Sequence, residues 1–305
     1  MNPQLSTLNQ KFGIAEQLSF RDTGDGFVVM DVHNEHCEAS IALQGAHLMT
    51  WQPKGEKPVI WMSPVAKLAK GKSIRGGIPI CWPWFGAHVS EASFSGHGFA
   101  RTTMWDVIST QTNEDGSTSL RFRIADMKEG QWSDDIPCEI TMKIGATLEM
   151  ALTTFNQSTE AVTVGDALHT YFCVGDVRNI AIDGLDACDY MDKVAGAKRL
   201  TQAGHVTVDA EVDRIYLDQG QDVVIEDRQQ QRRICIEKRN SHSTIVWNPW
   251  IDKCKNMGDF GSDDGYLGMV CVESANADED VVQLKPNEQH HLWVRYSVQK
   301  SFDQA

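Results

Sequence analysis

The chain has 305 residues, 41% of them hydrophobic and 23% charged. These are ordinary proportions for a globular protein, and the length can bury a large core without covalent staples. No run approaches the ~18 apolar residues of a membrane helix, the opening MNPQLSTLNQKFG lacks the apolar centre of a secretory leader, and a net charge of −14 argues against nucleic-acid binding, which needs a basic face.

In chain order, strand-like runs dominate. GFVVMDV (26–32), CEASIAL (37–43), HLMTW (47–51) and KPVIW (57–61) come first, and VAKLAK (65–70) has the length of a short helix or turn. SLRFRIAD (119–126) alternates Leu120, Phe122 and Ile124 with Arg121 and Arg123, and PCEITMKIG (137–145) and TLEMALTTF (147–155) meet at Gly145-Ala146. Later runs lie at 161–172, 177–185, 210–217, 222–227, 233–239, 243–248, 268–274 and 290–298, with KCKNM (253–257) as a second short helical candidate. Alternation broken by short turns predicts antiparallel sheet with one face buried, and many strands with few short helices predict an all-β sandwich or barrel. No Pro/Ser-rich linker or internal repeat interrupts it, so residues 1–305 read as one domain. Eight cysteines, no two closer than 15 residues, form no CxxC pair and read as reduced core thiols of a cytoplasmic protein.

Charge is unevenly spread. Residues 57–90 hold Lys57, Lys67, Lys70, Lys72 and Arg75 with no Asp or Glu, a local reversal of field that an acidic protein needs in order to bind an anion. A lysine run is ordinarily a solvated face. Here, however, Arg75 is followed by Gly76-Gly77, which let backbone N–H groups approach a ligand, and Arg grips phosphate or carboxylate in two prongs. Trp82, Trp84 and Phe85, and Trp247 and Trp250 around Asn248-Pro249, offer faces on which a sugar could stack, although buried Trp is more often plain core. His97 and Arg101 in HGFAR, His169 in DALHTYF and Glu273 in GMVCVESANA are further candidates. Each taken alone is more ordinarily a loop, core or strand-end residue. The pairs His33/His36 and His290/His291 lack a third ligand at metal spacing, and no metal or other cofactor is expected.

Taken together, RGGIPICWPWFG (75–86), HGFAR (97–101), LHTYF (168–172), VDRIY (212–216), WNPW (247–250) and VESANA (272–277) resemble the aldose 1-epimerase superfamily, and within it the hexose-6-phosphate mutarotases. The resemblance runs from about residue 20 to about residue 300, with the motifs in the family's order. It implies a galactose-mutarotase-like β-supersandwich, His169 and Glu273 as the catalytic histidine and glutamate, Arg75 and Arg101 as the arginines around the phosphate, Asp213 on sugar hydroxyls and His97 in the pocket wall. The family's polar residue ahead of the HGFAR histidine, Gln in some members, is Gly96 here.

Anomer interconversion opens a hemiacetal. A base removes the O1 proton and an acid protonates the ring oxygen O5, one on each side of the sugar, with no cofactor; Glu273 is expected as base and His169 as acid. The expected partner is a small hexose 6-phosphate bound by a monomer. Two other readings stand beside this one: a free-aldose 1-epimerase, against which the acid-free stretch 57–90 argues, and a sugar-binding module without turnover, against which the presence of both His169 and Glu273 argues.

Overall fold

The computed structural model describes residues 3–128 and 130–300. The chain alternates short strands with tight turns, and every ladder between its strands is antiparallel. Two eight-stranded sheets dominate. One runs in the order 180–183, 223–227, 232–239, 289–300, 148–155, 138–144, 118–124 and 105–112. The other runs 198–201, 189–192, 212–216, 243–248, 269–276, 166–168 and 80–81, with 171–173 also on 269–276. A four-stranded meander spans 18–53.

The alternation at 118–124 does what the pleat requires. Leu120, Phe122 and Ile124 are buried, while Arg121 and Arg123 project outward to Glu139 on the next strand at 2.6 and 2.5 Å. The two large sheets pack face to face: Phe172 meets Tyr296 edge to face at 5.3 Å, and Trp82 Nε1 donates to Thr154 Oγ1 across the interface at 2.9 Å. One apolar core runs continuously from Leu18 to Tyr296.

Among the described residues, α-helix is confined to Pro3–Phe12 and Trp250–Met257, and no helix is long and apolar enough to cross a membrane. The helix expected near 253–257 forms and extends back to Trp250. The segment 65–70 is turn and coil, and 57–61 makes only the isolated bridge Ile60–Phe172 instead of a strand. The run 161–172 divides into Val162–Val164, Asp166–Leu168 and the start of Tyr171–Cys173.

Candidate active site

The site is laid out by strand register. Strand Met269–Asn276 carries Cys271 and Glu273 two residues apart, hence on one face. Cys271 lies opposite Trp247 on one neighbour and Tyr171 on the other, and Trp247 lies opposite Asp213 on the strand beyond. One cross-sheet row therefore reads Tyr171, Cys271, Trp247, Asp213. The next reads Glu273, Ile245, Ile215.

His169 joins this second row from the gap between strands 166–168 and 171–173. Its N–H donates to Pro79 O at 3.0 Å, and the adjoining Thr170 hydroxyl is hydrogen-bonded to Tyr296 Oη in the core at 2.7 Å. Fixed at that break, His169 places Nδ1 3.3 Å from Glu273 Oε1. The two atoms face each other without the alignment of a hydrogen bond, and both Nδ1 and the second carboxylate oxygen, Oε2, are buried without a hydrogen-bond partner.

Burial sets the electrostatics of the pair. The Glu273 side chain is 1% exposed and that of His169 13%. Desolvation first, then the charge of Asp213, pushes the Glu273 carboxyl well above the usual carboxylate range. Desolvation first, then His97, Arg101 and Arg75, holds the His169 imidazole well below its ordinary range. Both shifts oppose the ion pair that a carboxylate and an imidazolium would make. His97 is lowered to about 4, by burial and then by Arg101.

All six residues singled out in the sequence, Arg75, His97, Arg101, His169, Asp213 and Glu273, line one cavity of about 410 Å³. Arg75 is held by three contacts: Nε donates to Asp259 Oδ2 at 3.0 Å, Nη1 donates to Tyr171 Oη at 2.8 Å, and the guanidinium lies 5.2 Å from the Phe260 ring centre. Arg101 donates from Nη2 to Gly96 O at 2.8 Å, and among the described residues no carboxylate pairs with it. His97 stands edge-on to Phe85, ring centres 4.7 Å apart, with its ring centre 5.9 Å from that of His169. The following Gly98 has φ +70°, and a Cβ there would lie 1.9 Å from Trp82 O, so the His-Gly step is dictated by packing.

Gly76-Gly77 serves packing rather than ligand approach. The Gly77 N–H is spent on Trp61 O at 2.7 Å, and a Cβ on Gly77 would stand 2.2 Å from His47 Nε2. At Gly96, by contrast, a Cβ would meet only Gly86 O at 3.6 Å, so nothing in the local packing demands glycine.

Of the five cations in the stretch 57–90, only Arg75 lines this cavity, together with the uncharged Phe85 and Gly86. Lys67 and Lys72 line an adjoining cleft of about 590 Å³ that shares Arg75 and Met257 with it. The remaining cations come from positions the sequence did not flag. Lys253, on the pocket face of helix Trp250–Met257, pairs with Glu211 at 2.8 Å and approaches Asp213 at 3.9 Å; Lys193, in a hairpin turn, approaches Asp278 at 3.7 Å. Lys253 and Met257 line the pocket together because they stand four apart on that helix. Trp82 and Trp84 are core, whereas Trp247 walls the pocket. Among the described residues, His169, Cys271 and Glu273 form a group whose donor atoms all lie within 4.8 Å of one another.

A β-sandwich with a buried imidazole–carboxylate pair under a cation-lined, sugar-sized pocket defines an epimerase-type isomerase acting on carbohydrates. The aldose 1-epimerase family model matches residues 29–297, and the chain belongs to that family. It is 36% identical over 260 residues to an Escherichia coli (strain K12) protein provisionally named glucose-6-phosphate 1-epimerase, covering 84% of this chain and 86% of that one. The crystal structure of a provisionally named mutarotase (YeaD) from Salmonella typhimurium superposes with a TM-score of 0.87 at 31% identity over 97% of this chain and 99% of that one. A galactose mutarotase-like protein from Clostridium acetobutylicum shares the fold alone, with a TM-score of 0.69 at 13% identity over 93% of this chain and 98% of that one.

Proposed function

We propose that this chain interconverts the α and β anomers of a hexose 6-phosphate, glucose 6-phosphate in the first instance. The observation that carries the proposal is the 3.3 Å approach of His169 to Glu273 at the buried floor of a pocket that also holds Arg75 and Arg101. Opening the ring needs one proton removed from O1 and one delivered to O5. An imidazole and a carboxyl 3.3 Å apart are that acid/base set, and both oxygens sit on the same carbon, so the groups can work side by side instead of from opposite sides of the ring. In the substrate complex the pair's one proton sits on the His169 imidazole and Glu273 is ionised; Glu273 then takes the O1 proton, His169 protonates O5, the C1–O5 bond breaks, and the aldehyde turns about C1–C2. Reclosure on the other face of the carbonyl returns both protons with the roles exchanged. His169 Nδ1 and Glu273 Oε2 have no hydrogen-bond partner within the protein, so substrate oxygens can take those positions.

The phosphate lies at the far end of the sugar. Arg101, lacking a carboxylate partner among the described residues, is its principal anchor, and Arg75, already tethered to Asp259 and Tyr171, is a fixed second grip. Asp213, with Lys253 beside it, accepts sugar hydroxyls, and Trp247 offers its ring to the sugar's apolar face. Four cations around one pocket favour this reading over a free-aldose epimerase. The unpartnered buried pair favours it over a binding module without turnover. The names of the relatives in Escherichia coli and Salmonella support the same substrate and reaction. One core spanning 18 to 296 supports a single domain, and eight unpaired cysteines support a reducing, cytoplasmic setting. Polarimetry on freshly dissolved α-glucose 6-phosphate tests the reading: the protein should shorten the approach to equilibrium rotation, and an unchanged time course would reject it.

A further inference from the structure

The mechanism above uses two of three clustered donors and leaves Cys271, which does not itself line the pocket, idle. Its thiol lies on the same face as Glu273, two residues away, in the row of Tyr171 and Trp247. It is fully buried, and its donor atom lies within 4.8 Å of those of His169 and Glu273. An imidazole nitrogen, a thiol sulfur and a carboxylate oxygen are the mixed set that zinc accepts, with the fourth position of a tetrahedron left open.

The spacing already fits part of that geometry. Zinc–nitrogen and zinc–oxygen bonds of about 2.0–2.2 Å at a tetrahedral angle put the two ligand atoms about 3.4 Å apart, and His169 Nδ1 stands 3.3 Å from Glu273 Oε1. That contact does not have hydrogen-bond geometry: Nδ1 and Glu273 Oε2 are buried without a hydrogen-bond partner in the protein. The sulfur needs to come to about 3.6 Å from the nitrogen, a closing movement of at most about 1.2 Å from the 4.8 Å within which the three donors already lie.

We propose that the His169–Cys271–Glu273 group is a reversible binding site for a soft divalent cation of the zinc class, and that an ion bound there excludes the sugar. On binding, the Cys271 S–H bond breaks, its proton and the proton held by the His169–Glu273 pair pass to solvent, and thiolate, carboxylate and neutral imidazole close on the metal. Their two negative charges, with Asp213 nearby, offset the opposing field of Arg75 and Arg101. The binding step stands on the three donors alone; the inhibition rests on the mutarotase reading.

The test uses Zn²⁺ or Co²⁺ as the probe on the whole chain, with Cys271→Ala and, should that variant fail to fold, Cys271→Ser. One equivalent of Co²⁺ should give the thiolate-to-cobalt charge-transfer absorption in wild type and none in either variant. Zinc should slow mutarotation of glucose 6-phosphate in wild type, in competition with substrate and reversibly on chelation. The metal-free Cys271 variant should keep its activity with zinc inhibition at least about tenfold weaker, because even loss of an outer-shell partner costs about 10–100-fold in metal affinity. A cobalt band that persists in the Cys271 variants, zinc inhibition of equal strength with and without Cys271, or no stoichiometric cobalt binding would each overturn the site. Because the cobalt spectrum requires no turnover, a cobalt band in a protein without mutarotase activity would reject the function and keep the metal site.

Discussion

The Tyr171 ring lies flat on the His169 imidazole, centroids 5.0 Å apart and planes 7° from parallel. The phenol hydroxyl at the other end of that ring accepts from Arg75 Nη1 at 2.8 Å, so the side chain that orients the imidazole also orients a guanidinium of the anion site. Tyr171→Phe keeps the stack and cuts the tether. Its expected effect is a fall in kcat/KM of about tenfold, carried mainly by KM, since a hydrogen bond to a charged group is worth about 1.5–3 kcal/mol and substrate supplies part of the replacement. Tyr171→Ala removes the stack as well and should also lower kcat. Steady-state kinetics of the two variants separates the effects, and equal losses in both would place the whole contribution in the hydroxyl.

Single removal of either member of the acid/base pair should lower the catalysed rate by about 10²–10⁴-fold, and the double variant should be little worse than the poorer single one, because the two groups act as one unit. His169→Ala and Glu273→Gln should fold, and Glu273→Gln should melt no lower than wild type, because it replaces a buried carboxyl that has an orphaned oxygen. Rates multiplied independently in the double variant would show that the residues work apart.

The two arginines should separate by substrate. Arg101→Ala is expected to raise KM for glucose 6-phosphate by about 10–100-fold and to leave KM for glucose within a few-fold. Arg75→Ala should also discriminate against the phosphorylated sugar, and should lower kcat besides because it frees Tyr171. Parallel changes for both sugars would place these guanidiniums away from the phosphate.

Outside the pocket, Asp166 is buried, and burial followed by Asp280 raises it to about 8 against a smaller opposing effect of the Asn276 backbone. The folded state thus holds a proton that the unfolded chain releases near 3.8. Between these values the native form binds more protons, so stability falls as pH rises through the window and the loss is complete above the folded pKa. Thermal melts from about pH 5 to about pH 9 should show wild type losing ground steadily against Asp166→Asn. A gap that does not change with pH would mean the carboxyl is ionised throughout.

Legibility in the sequence followed burial. Strands with one face in the core, such as 118–124 and 148–155, declare themselves by alternation, and their bounds are met within two residues. The hairpin 189–201 carries no such signal because its second strand is exposed along its whole length. The run 161–172 reads as one strand although Gly165 and the His169–Thr170 gap divide it, and that gap is what aims His169. Helix Pro3–Phe12 did leave a trace: Leu5, Leu8 and Phe12 recur at helical spacing and pack on the core, while Asn9 bonds both backbone groups of Phe20 at 2.9 Å.

For the site, motif residues are visible one at a time, whereas the approach of residue 169 to residue 273 depends on which strands pair and in which register. Lys193 and Lys253 lay outside any motif, and the signal at 57–90 pointed to lysines of which none lines the sugar pocket.

The most direct measurement of the central claim is two-dimensional exchange NMR on equilibrated glucose 6-phosphate, following the α and β H1 resonances. Catalytic amounts of wild-type protein should produce exchange cross-peaks far above the uncatalysed level, and His169→Ala and Glu273→Gln, each folded, should return them to that level. Cross-peaks of wild-type intensity in either variant, or none with wild type, would contradict the account.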